Sequence, residues 1–398
     1  MTKFFALGLL LSVLFLPNIA LSSSFAARPE DIIILLACMY LLFRKILFNT
    51  FYSWVLITMF VLFLTSMGLN DRLLSVNSFE FYNKIVKGLV SYTVFLLFMQ
   101  EEENYQTLIK VLVIALIINL LGNFLQLLNI SVIAILLAKY STAGQIGAIE
   151  KAMMFGRVPR LTGFIGNPNN NAVFFVCMAG LTLDLFFIRR ERIYLLLIIG
   201  VMAVIVLTQS RTMFVALLLV FLVVAFTTGK MSLVFIGGVF LLIIKYFVDI
   251  PYLNLLFDTN KLSQTHSVTG RIHEWANLFA MIQQQPILGF GGYKEYFYIT
   301  QTYPENEYIL AWFRYGIIYL IVFCGMMIIS VVQGIISAQR KIFGGYFMLA
   351  TNLTLLISSM SNTPFNNPRL FVFYSLVQAI YAASLLYAVN NQDDIKNV

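Results

Sequence analysis

The sequence predicts an all-α, polytopic integral membrane protein with about 12 transmembrane helices, at about 20 residues for each crossing. Three observations support this fold class. Hydrophobic residues make up 60% of the 398 positions, and charged residues only 11%. The mean hydropathy is +0.87, far above that of soluble chains. Apolar runs of roughly 17–25 residues recur along the chain, and each is long enough to cross a bilayer.

The apolar runs give the predicted spans in order, and together they form one transmembrane domain over residues 1–398. They cover 4–21, 30–44, 51–69, 81–99, 105–128, 170–188, 192–208, 212–228, 231–249, 306–332, 344–361 and 369–389. Two longer polar intervals remain, and we predict that both are outer loops: a first loop at 137–171 and a large loop at 250–305. Residues 1–28 also resemble a signal peptide, but the length of the apolar stretch favours an uncleaved first span.

The net charge of +8 follows from the positive-inside rule, so it does not indicate a nucleic-acid partner. With the N-terminus in the cytoplasm, the short inner loops collect nine basic residues. These are Lys3, Arg44, Lys45, Arg189, Arg190, Arg192, Lys230, Arg340 and Lys341. The reverse orientation would place them all outside. Both long loops, and the 361–369 loop, are therefore predicted to face the periplasm or the exterior.

Arg160 opens a polar segment directly before the span at 170–188. Asn167, Asn169 and Asn170 follow it and can offer amide groups to an oligosaccharide or a phosphate. The same pattern is also typical of an N-cap before a helix. Both interpretations stay open from the residues alone.

Arg211 lies in a tight polar link between two spans. An arginine costs about 2.5–3.5 kcal/mol at the centre of a bilayer on insertion scales, but near the interface its side chain can reach water. That explanation leaves the neighbouring Gln209 and Ser210 without a role. Because guanidinium groups bind phosphates well, Arg211 is a candidate anion ligand.

A short amphipathic helix is predicted within the large loop, beginning at Ser267 or Thr269 and ending before Pro286. Such a helix lies on the membrane surface or packs on the bundle. Its apolar face consists of Ile272, Trp275, Phe279 and Ile282.

The first turns of this helix contain the chemically capable residues Arg271 and His273. An exposed ion pair between Arg271 and Glu274 is the simple explanation of the arginine, and anion binding is the alternative. Histidine changes its protonation near neutral pH, so His273 is a candidate base. His266 lies in the same loop, but no carboxylate or cysteine spacing completes a metal site, so we predict none.

Glu305 and Glu307 precede and open the span at 306–332, where carboxylates suit the positive end of a helix. Arg314 lies seven residues beyond Glu307 on the same stripe. An arginine this far into a span needs a partner or a wet cavity, and both Glu307 and a bound phosphate are candidates. In another span, Asp184 is predicted to pair with Arg189.

Read in order, these motifs resemble the O-antigen polymerase/ligase superfamily of the Wzy and WaaL type. The resemblance covers roughly residues 157–316. It rests on R-L-T-G-x-x-G-N-P-N before a span, T-Q-S-R-T between spans, G-R-x-x-x-W and P-I-L-G-x-G in the large loop, and Y-P-E-N-E-Y-I-L-A-W-F-R-Y-G opening the next span.

The resemblance implies a membrane glycosyltransferase with the C-type fold, in the bacterial inner membrane and active on the periplasmic face. It also implies a donor glycan carried on undecaprenyl pyrophosphate, with membrane lipid around it and no metal or other cofactor. Arg211 and Arg271 are then expected to hold the pyrophosphate, with Arg160 and Arg314 as further ligands. The expected glycan-binding residues are Asn167, Asn169, Asn170 and Trp275.

One departure from the family pattern bears on the reaction. Ligases of this superfamily carry a histidine in a P-H-N pattern, where this chain has Pro304-Glu305-Asn306. The difference favours a polymerase of lipid-linked repeat units, for which a chain-length regulator is a further candidate partner. Glu305 is then the aligned base, with Glu307 and His273 as alternatives. A ligase acting on lipid A core, or a transporter of the lipid-linked unit, remain alternative functions.

Overall fold

The computed structural model describes residues 1–17, 19–20, 26–46, 50–73, 76–128, 140, 160–190, 192–230, 266–293, 295–300 and 303–396. These residues are almost entirely helical, which confirms the predicted all-α, polytopic class. The helices are α1 (Thr2–Phe15), α2 (Pro29–Arg44), α3 (Phe51–Leu69), α4 (Val76–Phe98), α5 (Glu102–Leu127), α6 (Pro168–Phe187), α7 (Ile193–Leu207), α8 (Arg211–Thr228), α9 (His266–Ile282), α10 (Glu295–Thr300), α11 (Glu307–Gln339), α12 (Gly345–Ser358) and α13 (Pro368–Lys396).

The other regular elements among the described residues are short. Strands β1 (Ile19–Ala20) and β2 (Ala26–Ala27) pair antiparallel, and 3₁₀ turns form at Gly163–Ile165 and Pro364–Asn366.

Every predicted span except 231–249 overlaps a helix, and 231–249 lies outside the described residues. The predicted span 4–21 is too long, because α1 ends at Phe15 and β1 follows at Ile19–Ala20. Among the residues that are described, six helices are long and apolar enough to cross a membrane: α3, α5, α6, α8, α11 and, over Pro368–Val389, α13. Helices α1, α7 and α12 are apolar but shorter. The chain is therefore a multi-pass membrane protein.

Helix α6 lies at the centre of the bundle and packs against α7, α8 and α12. Gly180 faces α12, and a Cβ atom there would lie only 2.6 Å from the carbonyl oxygen of Tyr346. The small residue therefore allows the two backbones to approach closely.

Asp184 joins the same two helices. Its carboxylate accepts the backbone N–H groups of Tyr346 at 3.1 Å and Phe347 at 2.8 Å, so it caps the start of α12. This role replaces the predicted pair with Arg189, whose guanidinium instead donates to Gln106. The prediction for Asp184 was wrong because the start of α12, distant in sequence, supplies two backbone N–H partners.

Helix α11 is broken at Gly316, where the backbone takes φ 82° and ψ 175°. The loop that follows α9 fills the break. The N–H groups of Phe290 and Gly291 donate to the carbonyls of Phe313 and Arg314, both at 2.8 Å. The first half of α11, which carries two of the predicted site residues, is thereby fixed to the large loop.

Candidate functional site at one end of the bundle

The starts of α6 and α8 meet at the α12–α13 loop, residues 359–367. The hydroxyl groups of Thr212 and Ser361 lie 2.6 Å apart. Asn362 donates from Nδ2 to the side-chain oxygen of Asn170 at 3.4 Å. Both helices therefore begin at the same end of the bundle.

The start of α11 is fixed to this loop as well. The N–H of Glu307 donates to the carbonyl of Ser359 at 2.8 Å, and Nδ2 of Asn306 donates to the carbonyl of Met360 at 3.1 Å. Asn306 also caps α11 by accepting the N–H of Ile309 at 3.0 Å. Three helix N-termini, each the positive end of a helix dipole, thus surround one loop, which favours binding of an anion.

Arg160 is half-buried beside the link between α7 and α8. Its Nε donates to the carbonyl of Thr208 at 3.0 Å, and a terminal nitrogen donates to Asn169 at 2.8 Å. These bonds connect the segment before α6 to the residues that lead into Arg211. Arg160, Asn169 and Arg211 therefore belong to one local structure.

Arg211 is the first residue of α8 and is half-buried. The link before it turns sharply at Gln209, whose φ of 56° is left-handed. That conformation costs a non-glycine residue roughly 1–2 kcal/mol. The tight turn places Arg211 at the end of the bundle where the starts of α6 and α11 also lie.

Arg271 reaches this end of the bundle from the large loop. It forms an ion pair with Glu305, and the two side chains are 30% and 48% exposed. Helix α9 itself packs on α11 through Leu278 and Ile282, both buried, in a cluster that includes Phe313. The predicted loop helix is confirmed, and its arginine contacts the candidate base.

Two other residues of the predicted apolar face are more exposed, although the ring of Phe279 lies 6.1 Å from that of Trp312 on α11. Ile272 is 57% exposed and Phe279 is 41% exposed. Trp275 is half-buried against the α9–α11 cluster, while His273 is exposed. Of the α9 residues predicted for the site, Arg271 contacts Glu305 just before α11, and Trp275 packs against the cluster that includes Ile309 and Leu310 of α11.

Glu307 and Arg314 are both buried. Both line a cavity of about 50 Å³ together with Lys84 of α4 and Asn366 of the α12–α13 loop. Glu307 accepts the N–H of Phe365 at 3.3 Å. The predicted alignment of Glu307 and Arg314 on one stripe is confirmed, and both side chains face a shared cavity.

Arg314 is 2% exposed. Its guanidinium lies over the rings of Phe297, 5.4 Å from the centroid, and Tyr303, 5.9 Å away. These distances fall within the range of cation–π attraction. Arg314 is therefore more deeply buried than the Arg271–Glu305 pair.

Among the predicted glycan ligands, Asn167 has a structural role. Its side chain accepts the N–H groups of Asn169 and Asn170, so it is the N-cap of α6. Asn169 and Asn170 contact Arg160 and Asn362, and both are half-buried. Within the described part of the chain, no group of three His, Cys, Asp or Glu side chains could hold a metal ion.

Lys84 was not predicted from the sequence. It lies in the apolar run at 81–99, is 7% exposed, and donates to Asn366 at 3.1 Å. The available signal was its charge inside a predicted span, since such residues usually mark functional sites or cavities.

Comparison with known proteins adds evidence for this region. Residues 193–324 match the family model for O-antigen ligase. No curated protein matches the chain. The O-antigen ligase match runs from α7 into α11 and contains Arg211, Arg271, Glu305, Glu307 and Arg314.

The match agrees with the resemblance to the O-antigen polymerase/ligase superfamily and indicates a function of that type. For a membrane-embedded protein with an O-antigen ligase match, it also suggests lipid-linked substrates. Arg160 and Lys84 lie outside the matched residues, so their place in the site depends on the geometry alone.

Proposed function

We propose that this protein polymerises oligosaccharide repeat units that are linked to undecaprenyl pyrophosphate, on the periplasmic face of the bacterial inner membrane and without a metal. The main support for this proposal is the end of the bundle where α6, α8 and α11 begin. Arg160 and Arg211 lie at this end, and Arg271 reaches it through Glu305.

The chemistry needs positive charge at the leaving group. Breaking the bond between sugar C1 and the phosphate oxygen leaves its electron pair on the pyrophosphate. Guanidinium groups already in place stabilise that charge most in the transition state, which raises the rate. The lipid tail of the donor stays in the bilayer, so the reacting bond lies near headgroup depth, close to the helix ends.

The acceptor sugar hydroxyl attacks C1 and must lose its proton to a base within about 2.6–3.2 Å. Glu305 is the favoured base because it contacts Arg271, one of the pyrophosphate ligands in this mechanism. A single displacement of this kind inverts the anomeric centre. Glu307 and His273 remain alternatives, but Glu307 lies in the internal cavity and His273 is exposed on α9.

The replacement of the ligase histidine by Glu305 supports a polymerase over a ligase. Ligation of the glycan to lipid A core is the second candidate, supported by the name of the matching family model. A transporter is less favoured. Transporters usually have broken helices that line a substrate path, whereas the break in α11 is filled by backbone of the large loop.

The direct test is incubation of purified protein with a lipid-linked repeat unit in metal-free buffer, followed by gel analysis of product length. We expect a ladder of lipid-linked chains from the wild type. Arg211→Ala and Arg271→Ala should insert normally and give no ladder. Arg192→Ala, at an exposed position at the start of α7, is the matched control and should retain it.

Each alternative outcome has a clear meaning. Transfer to a lipid A core acceptor without chain growth would establish the ligase. Movement of the unit across a vesicle membrane without new bonds would establish the transporter. Normal ladders from both arginine variants would refute the proposed mechanism.

A further inference from the structure

A second cavity, which we call the basic cavity, lies at the opposite end of the bundle from the candidate site. Its volume is about 770 Å³, within the range of cavities that hold small ligands. Helices α6, α8 and α11 begin at the candidate site, and the residues with which they end line the basic cavity: Phe187, Thr228 and Gln339. The length of these helices therefore separates the cavity from the arginines of the proposed reaction.

Three cations on the lining follow the ends of the same three helices. Arg190 follows α6, Lys230 follows α8 and Lys341 follows α11, and all three are exposed. Each lies at or directly after a left-handed residue, since φ is 59° at Arg190, 68° at Gly229 and 57° at Lys341. The turn at each helix end thus brings a positive side chain to one cavity.

The charges of these three cations are not offset by acidic side chains. Among the residues that the structure describes, no Asp or Glu lines the cavity, and none forms an ion pair with Arg190, Lys230 or Lys341. A fourth cation, Arg192, also lines the cavity, but its charge is offset in the sequence by that of the neighbouring Glu191, which lies outside the described residues. The three helix-end cations therefore carry the excess of positive charge.

Two ordinary explanations account for only part of this excess. A helix C-terminus carries about half a negative charge, so the ends of α6, α8 and α11 offset roughly half the charge of the three cations. The positive-inside rule explains cations in inner loops, but it does not require them to converge on one cavity. An anion bound in the cavity would offset the remaining positive charge.

The surroundings of the cavity favour a lipid as the source of that anion. Phe187 and Leu195 make part of the lining apolar, and Lys230 lies over the ring of Phe187, 4.8 Å from its centroid. Beside the lining, Leu196 on α7 is 64% exposed and Phe226 on α8 is 68% exposed, as expected of side chains that face acyl chains. Basic pockets between membrane helices on the cytoplasmic side are typical sites for anionic headgroups.

We propose that the basic cavity binds the phosphate headgroup of an anionic phospholipid from the inner leaflet, with Arg190, Lys230 and Lys341 as its ligands. Their guanidinium and ammonium groups donate charge-assisted hydrogen bonds to the phosphate oxygens. The acyl chains stay in the bilayer against α7 and α8. A lipid held in this way joins the ends of three helices whose starts form the candidate site. The proposal depends on the fold and not on the reaction proposed above.

The test uses the full-length protein in neutral detergent and follows the thermal unfolding midpoint as lipid is added. We expect phosphatidylglycerol to raise the midpoint of the wild type, because a ligand of the folded state stabilises it, and phosphatidylcholine to leave it unchanged. The double variant Lys230→Gln with Lys341→Gln should need about tenfold more phosphatidylglycerol or higher for the same rise, through loss of charge-assisted hydrogen bonds.

The matched control is the double variant Arg44→Gln with Lys45→Gln. It removes the same charge from another predicted inner loop, and both residues are exposed and do not line the cavity. Lys45 also has a left-handed backbone, with φ 52°, as Lys341 does. This variant should respond to phosphatidylglycerol like the wild type.

Glycerol phosphate distinguishes a lipid from a soluble phosphate compound, because it presents the phosphate group without acyl chains. It should raise the midpoint far less than phosphatidylglycerol does at equal concentration, and an equal rise would overturn the assignment to a lipid. Mass spectrometry of the lipids that stay bound through purification should find less phosphatidylglycerol on the cavity variant than on the control variant. Equal amounts on these two variants, or equal midpoint shifts with the two phospholipids, would refute the inference.

Discussion

Gly316→Ala is expected to destabilise the protein by about 3 kcal/mol or more, because this position combines backbone strain with a steric conflict. With φ 82° and ψ 175°, Gly316 occupies a region that is open almost only to glycine and costs other residues about 1–3 kcal/mol. A Cβ atom there would also overlap the carbonyl group of Ile287.

Relief of that overlap requires the loop after α9 to move away from α11. The movement would break the bonds from Phe290 and Gly291 to the helix, both 2.8 Å, and the bond from Ile317 N–H to the Pro286 carbonyl at 3.0 Å. Each such hydrogen bond contributes about 0.5–1.5 kcal/mol. Chain growth should fall too, because the same loop fixes the half-helix that begins beside Glu305.

The matched control is Gly325→Ala in the same helix. A Cβ atom at Gly325 meets nothing within 4 Å, and alanine is the better helix former by up to about 1 kcal/mol. We therefore expect thermal unfolding in detergent to show a midpoint roughly 4 °C lower or more for Gly316→Ala, and an unchanged or slightly higher midpoint for Gly325→Ala. Equal midpoints for the two variants would refute this account of the break.

Three further predictions follow from single contacts. Asp184→Ala should lower the unfolding midpoint, because it leaves two N–H groups of α12 without a partner, at a cost of about 1–3 kcal/mol each. Asp184→Asn keeps one acceptor oxygen and should unfold at a higher temperature than Asp184→Ala. Equal midpoints for the two variants would contradict the capping role. Asn306→Ala should lower the free energy of unfolding by about 1 kcal/mol through loss of the helix cap. It should also reduce chain growth, because it releases the start of α11 from the α12–α13 loop. Full activity of this variant would show that the contact with the loop does not position the site. Glu305→Gln should slow chain growth, measured by gel, by roughly 10²–10⁴-fold. Glu307→Gln should slow it by less than about tenfold. The reverse order would identify Glu307 as the base.

The fold was predictable because hydropathy and length determine which segments cross a bilayer. The boundaries of α3 coincide with the predicted span at 51–69, and those of α6 and α8 differ by one or two residues. The loop helix was predicted from periodicity, and α9 confirms it. The break at Gly316 was missed because the segment is continuously apolar, and only the docked loop makes the left-handed glycine necessary.

The candidate site was predictable where charge stood next to a helix start. Arg160 contacts the segment that leads into Arg211, and Arg271 contacts Glu305. The distances between these arginines could not be predicted from the sequence, because they lie on different segments. Lys84 was missed since its partners Glu307 and Asn366 are remote in the chain. The prediction for Asp184 failed for the same reason, because a capping partner in another helix leaves no local signal.

The way the three arginines are attached suggests how the site could control its base. Arg160 is bound within the bundle and Arg211 begins one of its helices, whereas Arg271 belongs to α9 and contacts Glu305. In the proposed mechanism, an arriving pyrophosphate competes with Glu305 for Arg271 and connects α9 to the arginines of the bundle. Glu305 is then released only when a donor is bound. Because a carboxylate held by a guanidinium cannot readily accept a proton from water, this arrangement would limit wasteful hydrolysis while keeping the base ready for the acceptor hydroxyl.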